Sequence, residues 1–296
     1  MSFRKLRDLI ASRLMLIATI FSASLVLWII FGLVWKSKTI LALKPLGDLI
    51  LSSAWHPLSG EFGLSTFIIS TVYVTVIAMV IAVPLCLLTS IYLAEFASKR
   101  VRAVMKPMID LLAGIPSVVF GLFGVLLIVP FSSSLGSAFG VNTTGYNLLS
   151  GGIVLAIMVF PVIISISEEV IRTVPRGIWE ASLALGATRW QAAKLVVGRA
   201  ALPGIFAAIV LGFGRAFGET MAVLMVIGNV VKTPVSIFDP AYPLPALIAN
   251  NYGEMMSVPQ YESALMFAAL LLLAIVFITS VGARLILVRM ERRNGI

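Results

Sequence analysis

The sequence predicts an all-α integral membrane protein with six transmembrane helices. Three observations carry that prediction. The 296 residues are 60% hydrophobic and only 12% charged, with mean hydropathy +1.07, whereas a water-soluble globular chain is about 25% charged. Six apolar stretches reach the roughly 20 residues that a spanning helix needs. Basic residues are concentrated in alternate connections between those stretches. Lipid offers no hydrogen bonds, so each crossing should be a helix that satisfies its own backbone.

The first stretch, 14–35, follows the basic segment SFRKLRDLIASR. Its apolar run of 22 residues, Leu14 to Trp35, exceeds the roughly 7–15 residues of a signal-peptide core, so an uncleaved first span is expected. The others are 66–94, 107–130, 150–171, 201–228 and 263–288. The second and fifth are long enough to tilt or bend. Pro84, Pro116 and Pro161 fall within spans, where proline removes a backbone bond and tends to kink the helix. The expected organisation is residues 1–60 for the N-terminal tail, first span and part of the first outside loop. Residues 61–296 then hold five further spans, with a cytoplasmic loop at 173–200.

Of the 22 Lys and Arg, seventeen are assigned to one side: sixteen in the N-terminal, C-terminal and intervening even-numbered connections, and Arg284 near the end of the last stretch. Only Lys36, Lys38, Lys44 and Lys232 lie in the opposite loops, 36–65, 131–149 and 229–262. The positive-inside rule then sets both termini in the cytoplasm. This distribution also accounts for the net charge of +9 without any nucleic acid. The last outside loop, with Pro234, Pro240, Pro243 and Pro245, reads as a rigid irregular cap. The single cysteine, Cys86, makes no intrachain disulfide and reads as a small core hydrophobe. The single histidine, His56, builds no metal site alone, and no metal ligands are expected. No GxxxxGK[ST] phosphate loop occurs, so ATP binding of that kind is not expected on this chain.

The stretch 173–204, TVPRGIWEASLALGATRWQAAKLVVGRAALPG, is long for a connection. Pro175 suits a first helical turn, Ile178, Trp179, Ser182 and Leu183 begin a helical pattern, and Gly186 ends it. Thr188 and Gln191 have capping-box spacing and start a second helix. The predicted helix–turn–helix presents Trp179, Leu183 and Trp190 as apolar surface. It is suited either to lipid headgroups or to a partner's groove.

Arg215 and Glu219 interrupt a run from Ala200 to Gly228 that is otherwise uncharged. At the bilayer centre each costs about 3 kcal/mol. On a continuous helix they are i and i+4, about 6 Å apart along the axis and on one face. Gly214 and Gly218 make a GxxxG spacing beside them, so the pair is expected next to a packed interface, facing the bundle interior or a partner subunit rather than lipid. One reading is an ion pair that fixes register. The other gives the guanidinium, a planar fork of donors, to an oxyanion cargo, with Glu219 holding the fork in the cargo's absence. The two are compatible in different states. Thr220 is a weaker candidate donor. Asp110, Glu168 and Glu169, near cytoplasmic ends, are expected to face water, and Asn229 is expected to do no more than turn the chain.

Glu180-Ala181-Ser182, three residues, then Gly186 resembles the EAA loop of ABC importer permeases. Ser182 replaces the third small residue, and Gly198-Arg199 stand at the motif's Leu-Pro positions. The stretches Ser65–Ala97, Leu111–Gly124 (LLAGIPSVVFGLFG) and Gly214–Asn229 (GRAFGETMAVLMVIGN) are similar to the phosphate-specific (Pst) permeases of the PstC type. The resemblance covers roughly 60–290. It implies a MetI-like permease fold whose coupling segment, including Trp179, Glu180, Ala181, Ser182, Gly186 and Trp190, seats on an ATPase. It further implies a PstA-like partner permease, a PstB-like ATPase dimer carrying ATP and magnesium, and an extracellular or periplasmic phosphate-binding protein, all at the prokaryotic plasma membrane. This chain would be no enzyme itself. A permease for sulfate or molybdate, an ion-driven secondary transporter, or a membrane scaffold reporting phosphate supply are the competing expectations.

Overall fold

The computed structural model describes residues 3–253 and 258–294. The ends of the predicted tails (1–2 and 295–296) and residues 254–257 of the last outside loop lie outside the described residues. Among the described residues the chain is mostly helical, with one two-stranded hairpin and irregular connections. Six helical runs among the described residues are long and apolar enough to cross a membrane: Ile10–Leu43, Ser65–Phe96, Ser117–Ala138, Leu148–Thr173, Arg189–Gly218 and Pro259–Met290.

Helix α1 is Phe3–Leu43. A short α2, Leu46–Leu51, and the hairpin β1 (Trp55–His56) with β2 (Glu61–Phe62) lead into α3, Ser65–Ile91. Pro84 is accommodated inside α3, and a π-helical turn, Tyr92–Phe96, extends it. The amphipathic α4, Lys99–Gly114, is capped by the Ser98 hydroxyl, which accepts the Val101 N–H at 3.3 Å.

The third span departs from the expected 107–130. Helix α4 stops before Pro116, because a residue preceding proline is driven out of the helical region, and Ile115 is extended (φ −71°, ψ 129°). The membrane-crossing run therefore starts at Ser117 as α5 (Ser117–Phe123), passes a π turn (Gly124–Ile128) and ends in α6 (Val129–Ala138). Pro116 is the residue before the span rather than a kink within it.

Helix α7, Leu148–Thr173, is the most enclosed of the spans. It begins at Asn147, whose side chain accepts the Ser150 N–H at 3.0 Å. Helices α8 (Arg176–Ala184) and α9 (Arg189–Leu195) form the segment that the positive-inside rule assigns to the cytoplasm. A π turn, Val196–Ala201, runs from α9 straight into α10, Leu202–Gly218. Then come α11 (Met221–Leu224), α12 (Leu244–Asn251) and α13 (Pro259–Asn294).

The bundle centre is α7 between α3 and α10. Val74, Ala78, Ala82 and Cys86 of α3 pack against Leu155, Ala156, Val159 and Ile163 of α7. Small residues let α10 approach α7: Gly204, Ala208, Gly212 and Ala216 recur every fourth residue, and Ala208 is fully buried. A Cβ on Gly212 would stand 2.6 Å from Ile163 Cγ1. An aromatic cluster closes the outer end. Trp55 lies edge-on to Phe67 and Tyr261, with centroids 5.1 and 5.8 Å away, and Tyr242, Leu244 and Leu265 pack around it. Helix α1 docks only near its C-terminal end, where the Ser263 hydroxyl donates to the Lys36 carbonyl (2.8 Å) and accepts the Ile40 N–H (3.0 Å). The most apolar window of α1 buries nothing.

The predicted cap over the outer face is present. The carbonyls of Asp239 and Ile237 accept the Leu148 and Leu149 N–H groups at 3.0 and 2.9 Å, and Thr71 Oγ1 accepts the Leu244 N–H at 2.9 Å.

Candidate functional site: the Arg215 groove and the cytoplasmic segment

Arg215 does not share a helix face with Glu219. Helix α10 ends at Gly218, and Glu219 is extended (φ −70°, ψ 132°). Its carboxylate accepts the Ala222 N–H at 3.3 Å and so caps the turn of α11. Thr220 donates to the Gly218 carbonyl at 3.3 Å. The apolar run from 201 to 228 is thus a helix, a break and a four-residue helix, where one unbroken helix was expected. Hydrophobicity marks the run as membranous but does not require it to be helical. A break at this depth is tolerated where the backbone lies against protein or lines a polar cavity.

Among the described residues, no carboxylate lies within 4.0 Å of Arg215. The side chain is exposed and lines an open, mostly apolar groove of about 680 Å³ between α10 and α13. Phe206, Val210 and Leu211 form one wall; Val276, Ser280, Ala283 and Arg284 form the other. Arg215 sits in the last turn of α10, so the negative end of the helix dipole, rather than Glu219, is the fixed element that favours its charge.

The GxxxG pair faces away from the other helices of this chain. A Cβ on Gly214 or Gly218 would meet nothing within 4 Å, so no helix among the described residues packs there. The close approach to α7 uses the adjacent small-residue face. Gly214 itself lines the groove.

The cytoplasmic segment has the predicted helix–turn–helix. Gly186, at φ +85°, occupies the left-handed conformation that ends α8. Thr188 and Gln191 form both bonds of the capping box: the Thr188 N–H donates to Gln191 Oε1 (2.8 Å), and Thr188 Oγ1 accepts the Gln191 N–H (3.3 Å). Glu180 and Ala181 are exposed. Ser182 is buried, its hydroxyl donating to the Ile178 carbonyl at 2.9 Å. The two tryptophans part company. Trp190 is exposed, with the Lys194 ammonium 5.5 Å from its ring centre. Trp179 turns inward onto Ile171, Val196, Ala201 and Ile205. Trp179, half-buried, therefore joins the segment to the bundle.

Glu168 corrects a further expectation. It is 4% exposed, not solvated. Its Oε1 lies 3.3 Å from Arg172 and 3.8 Å from Arg102. The Arg102 guanidinium also donates to the Leu93 and Ala94 carbonyls, each at 2.8 Å, tying α4 to the end of α3 and to α7. Asp110 and Glu169 are exposed, as expected. The i,i+4 spacing of Glu168 and Arg172 was a signal in the sequence. The participation of Arg102 was not, because only the fold brings α4 to α7. Arg284, assigned by sequence to the cytoplasmic side, lies on the groove of Arg215. Its flanking residues, Val281, Leu285, Ile286 and Leu287, were the available sign that it stands within the apolar zone.

A mostly helical chain with six candidate spans among the described residues, a helix–turn–helix leading into the fifth and an arginine facing an open groove fits a transport permease. Residues 86–292 match the family of inner membrane components of binding-protein-dependent transport systems, and the chain belongs to that family. It is the membrane component of a system that also has an ATPase and a substrate-binding component.

Within the family its place is with the PstC-type permeases. It is 36% identical over 279 residues to the phosphate transport system permease protein PstC of Xylella fastidiosa strain 9a5c, covering 89% of this chain and 85% of that protein. It is 35% identical over 261 residues to PstC of Mesorhizobium japonicum, covering 83% and 80%. A probable ABC transporter permease of Bacillus subtilis, YqgH, is 39% identical over 233 residues, covering 78% and 74%. Among solved structures, an inward-facing form of the MetNI methionine ABC transporter shares the fold. Its TM-score is 0.54 at 20% identity, covering 75% of this chain and 91% of that chain. This agrees with the MetI-like architecture expected from the coupling segment.

Proposed function

We propose that this chain is one of two permease subunits of an ATP-driven importer of inorganic phosphate, working by alternating access. The names of the PstC relatives support phosphate as the cargo. The observation that carries the mechanism is that Arg215 and the cytoplasmic segment share one helical rod. The run Arg189–Gly218 is continuous from α9 through the π turn to α10, about 45 Å long at 1.5 Å per residue. A displacement of α9 is delivered along that rod to a guanidinium that has no counter-ion among the described residues.

In this reading a PstB-like ATPase dimer holds ATP and magnesium and receives Glu180, Ala181, Gly186 and Trp190. Trp179 and buried Ser182 keep the segment fixed to the bundle. A PstA-like permease covers the open face of Gly214 and Gly218. A phosphate-binding protein delivers cargo to the outer cap, and both termini are cytoplasmic. Arg215 binds the oxyanion with bidentate, charge-assisted hydrogen bonds. Glu219 and Thr220, at the break, set the end of the helix that presents it. The test is phosphate uptake by Arg215→Gln in the assembled importer. Uptake should fall roughly a hundredfold or more, the scale of losing a bidentate charged contact, with membrane level and ATPase co-purification unchanged. Uptake at the normal rate removes the cargo role.

A further inference from the structure

The groove that holds Arg215 holds a second cation. Arg284 is exposed on α13, and among the described residues no carboxylate lies within 4.0 Å of it. The fifth and sixth spans run in opposite directions, so the two arginines lie toward opposite ends of the groove. On α10, Arg215 is nine residues beyond Phe206, toward the outer side; on α13, Arg284 is eight residues beyond Val276, toward the cytoplasmic side. The two backbone positions are about 10 Å apart along the axes, so the guanidinium groups stand over different halves of the groove. Between them, one turn before Arg284, stands Ser280. Its hydroxyl makes no hydrogen bond among the described residues, whereas neighbouring Thr279 donates to the Ile275 carbonyl at 2.9 Å. Two uncompensated charges in one apolar groove are costly without a ligand or water, and a free donor between them suits the same ligand.

We propose that Arg284 is a second oxyanion contact on the cytoplasmic half of the groove, receiving phosphate from Arg215 by way of the Ser280 hydroxyl. The inference rests on the cargo reading of Arg215. Two weak sites in series solve a problem that one strong site creates, because an anion held by a single bidentate arginine leaves slowly. The plainer alternative is that Arg284 snorkels to lipid headgroups.

The experiment places a thiol between the two cations. Ser280→Cys is made in a Cys86→Ala background and assembled with its partner permease and ATPase in lipid nanodiscs without nucleotide. Labelling rates are compared for an anionic and a neutral methanethiosulfonate. The anionic reagent should be favoured, and Arg284→Gln should lower the anionic-to-neutral ratio about fivefold, as expected for removing one charge several ångströms away. Arg284→Lys should keep the ratio. Inorganic phosphate should slow anionic labelling while Arg284 is present, and should have no such effect in the Arg284→Gln variant. If Arg284→Gln does not assemble, Arg284→Met, which keeps the apolar stem, carries the same expectation. A ratio unaffected by neutralising Arg284, or a thiol reached by neither reagent, overturns the proposal in favour of headgroup contact. An unchanged ratio while uptake still depends on Arg215 removes only the second contact; normal uptake by Arg215→Gln removes the phosphate reading itself.

Discussion

Glu168 and Arg215 are both charges inside spans, and the fold treats them oppositely. Glu168 is enclosed and shared between two arginines, while Arg215 has no acid within reach among the described residues and faces an open groove. Sequence position alone misassigned Glu168, because nearness to a helix end does not say which face a side chain takes. Glu219 does not share a face with Arg215, because an i,i+4 pair exists only if the helix continues. Asp239, in the outer cap, shows a third use of a carboxylate. Its Oδ2 accepts the Val235 and Ser236 N–H groups, each at 2.9 Å. Those two bonds, Val235 first, hold its pKa below the ordinary carboxylate value, with Lys232 adding a smaller pull in the same direction. A lowered folded-state pKa means that the ionised form is the one the fold favours. Its contribution is complete above the unfolded value of about 3.9 and is lost as pH falls through the lower, folded value. Hydrogen exchange should therefore show the Val235 and Ser236 amides losing protection in that acid window, corrected for intrinsic rate. In Asp239→Ala they should be unprotected at neutral pH. Protection unchanged in that variant contradicts the assignment.

Most elements follow from local chemistry. The helix–turn–helix of α8 and α9 was legible because its signals, Gly186 and the Thr188–Gln191 box, act within a few residues. The start of the third span was not, because apolarity continues smoothly across Ile115 and Pro116 while the backbone does not. For α10 the sequence offers two overlapping small-residue stripes, and hydropathy cannot choose between them. The structure gives Gly204, Ala208, Gly212 and Ala216 to α7 and leaves Gly214 and Gly218 open. The stripes therefore have different tolerances. Gly212→Val drives a branched side chain into Ile163 and should destabilise the chain by about 1–3 kcal/mol, read as a lower unfolding midpoint in detergent. Gly214→Ala meets no atom within 4 Å and raises helix propensity by up to about 1 kcal/mol. It should leave the midpoint of the separate chain unchanged or higher, and lower recovery of the paired permease. Equal destabilisation by both substitutions contradicts this division of faces.

Viewed along its length, the described part of the molecule is closed at the end that the charge pattern assigns to the outside and open on its sides and opposite end. The aromatic cluster around Trp55 and the cap from Asn229 to Tyr242 seal one end. Helix α1, the groove of Arg215 and Arg284, and the tip of the cytoplasmic segment remain uncovered. The number and order of spans were legible because lipid imposes length and composition on every crossing. Which open surface meets lipid and which meets protein was not, since both are apolar. At the cytoplasmic tip the two answers separate. Leu185 is 90% exposed between α8 and α9, with Ile178 and Trp190 nearby in sequence at 41% and 45%. It makes no packing contribution to any core cluster among the described residues. A leucine so exposed in a segment rich in arginine fits a partner's groove or the headgroup layer equally by composition. Leu185→Asp places a charge at that tip without disturbing a buried contact. If the tip seats in the ATPase, the variant should keep its unfolding midpoint and its permease pairing. It should lose most ATPase co-purification and, with it, phosphate uptake. If the tip lies on headgroups, the ATPase stays bound at the normal ratio and uptake changes little, so co-purification alone separates the two.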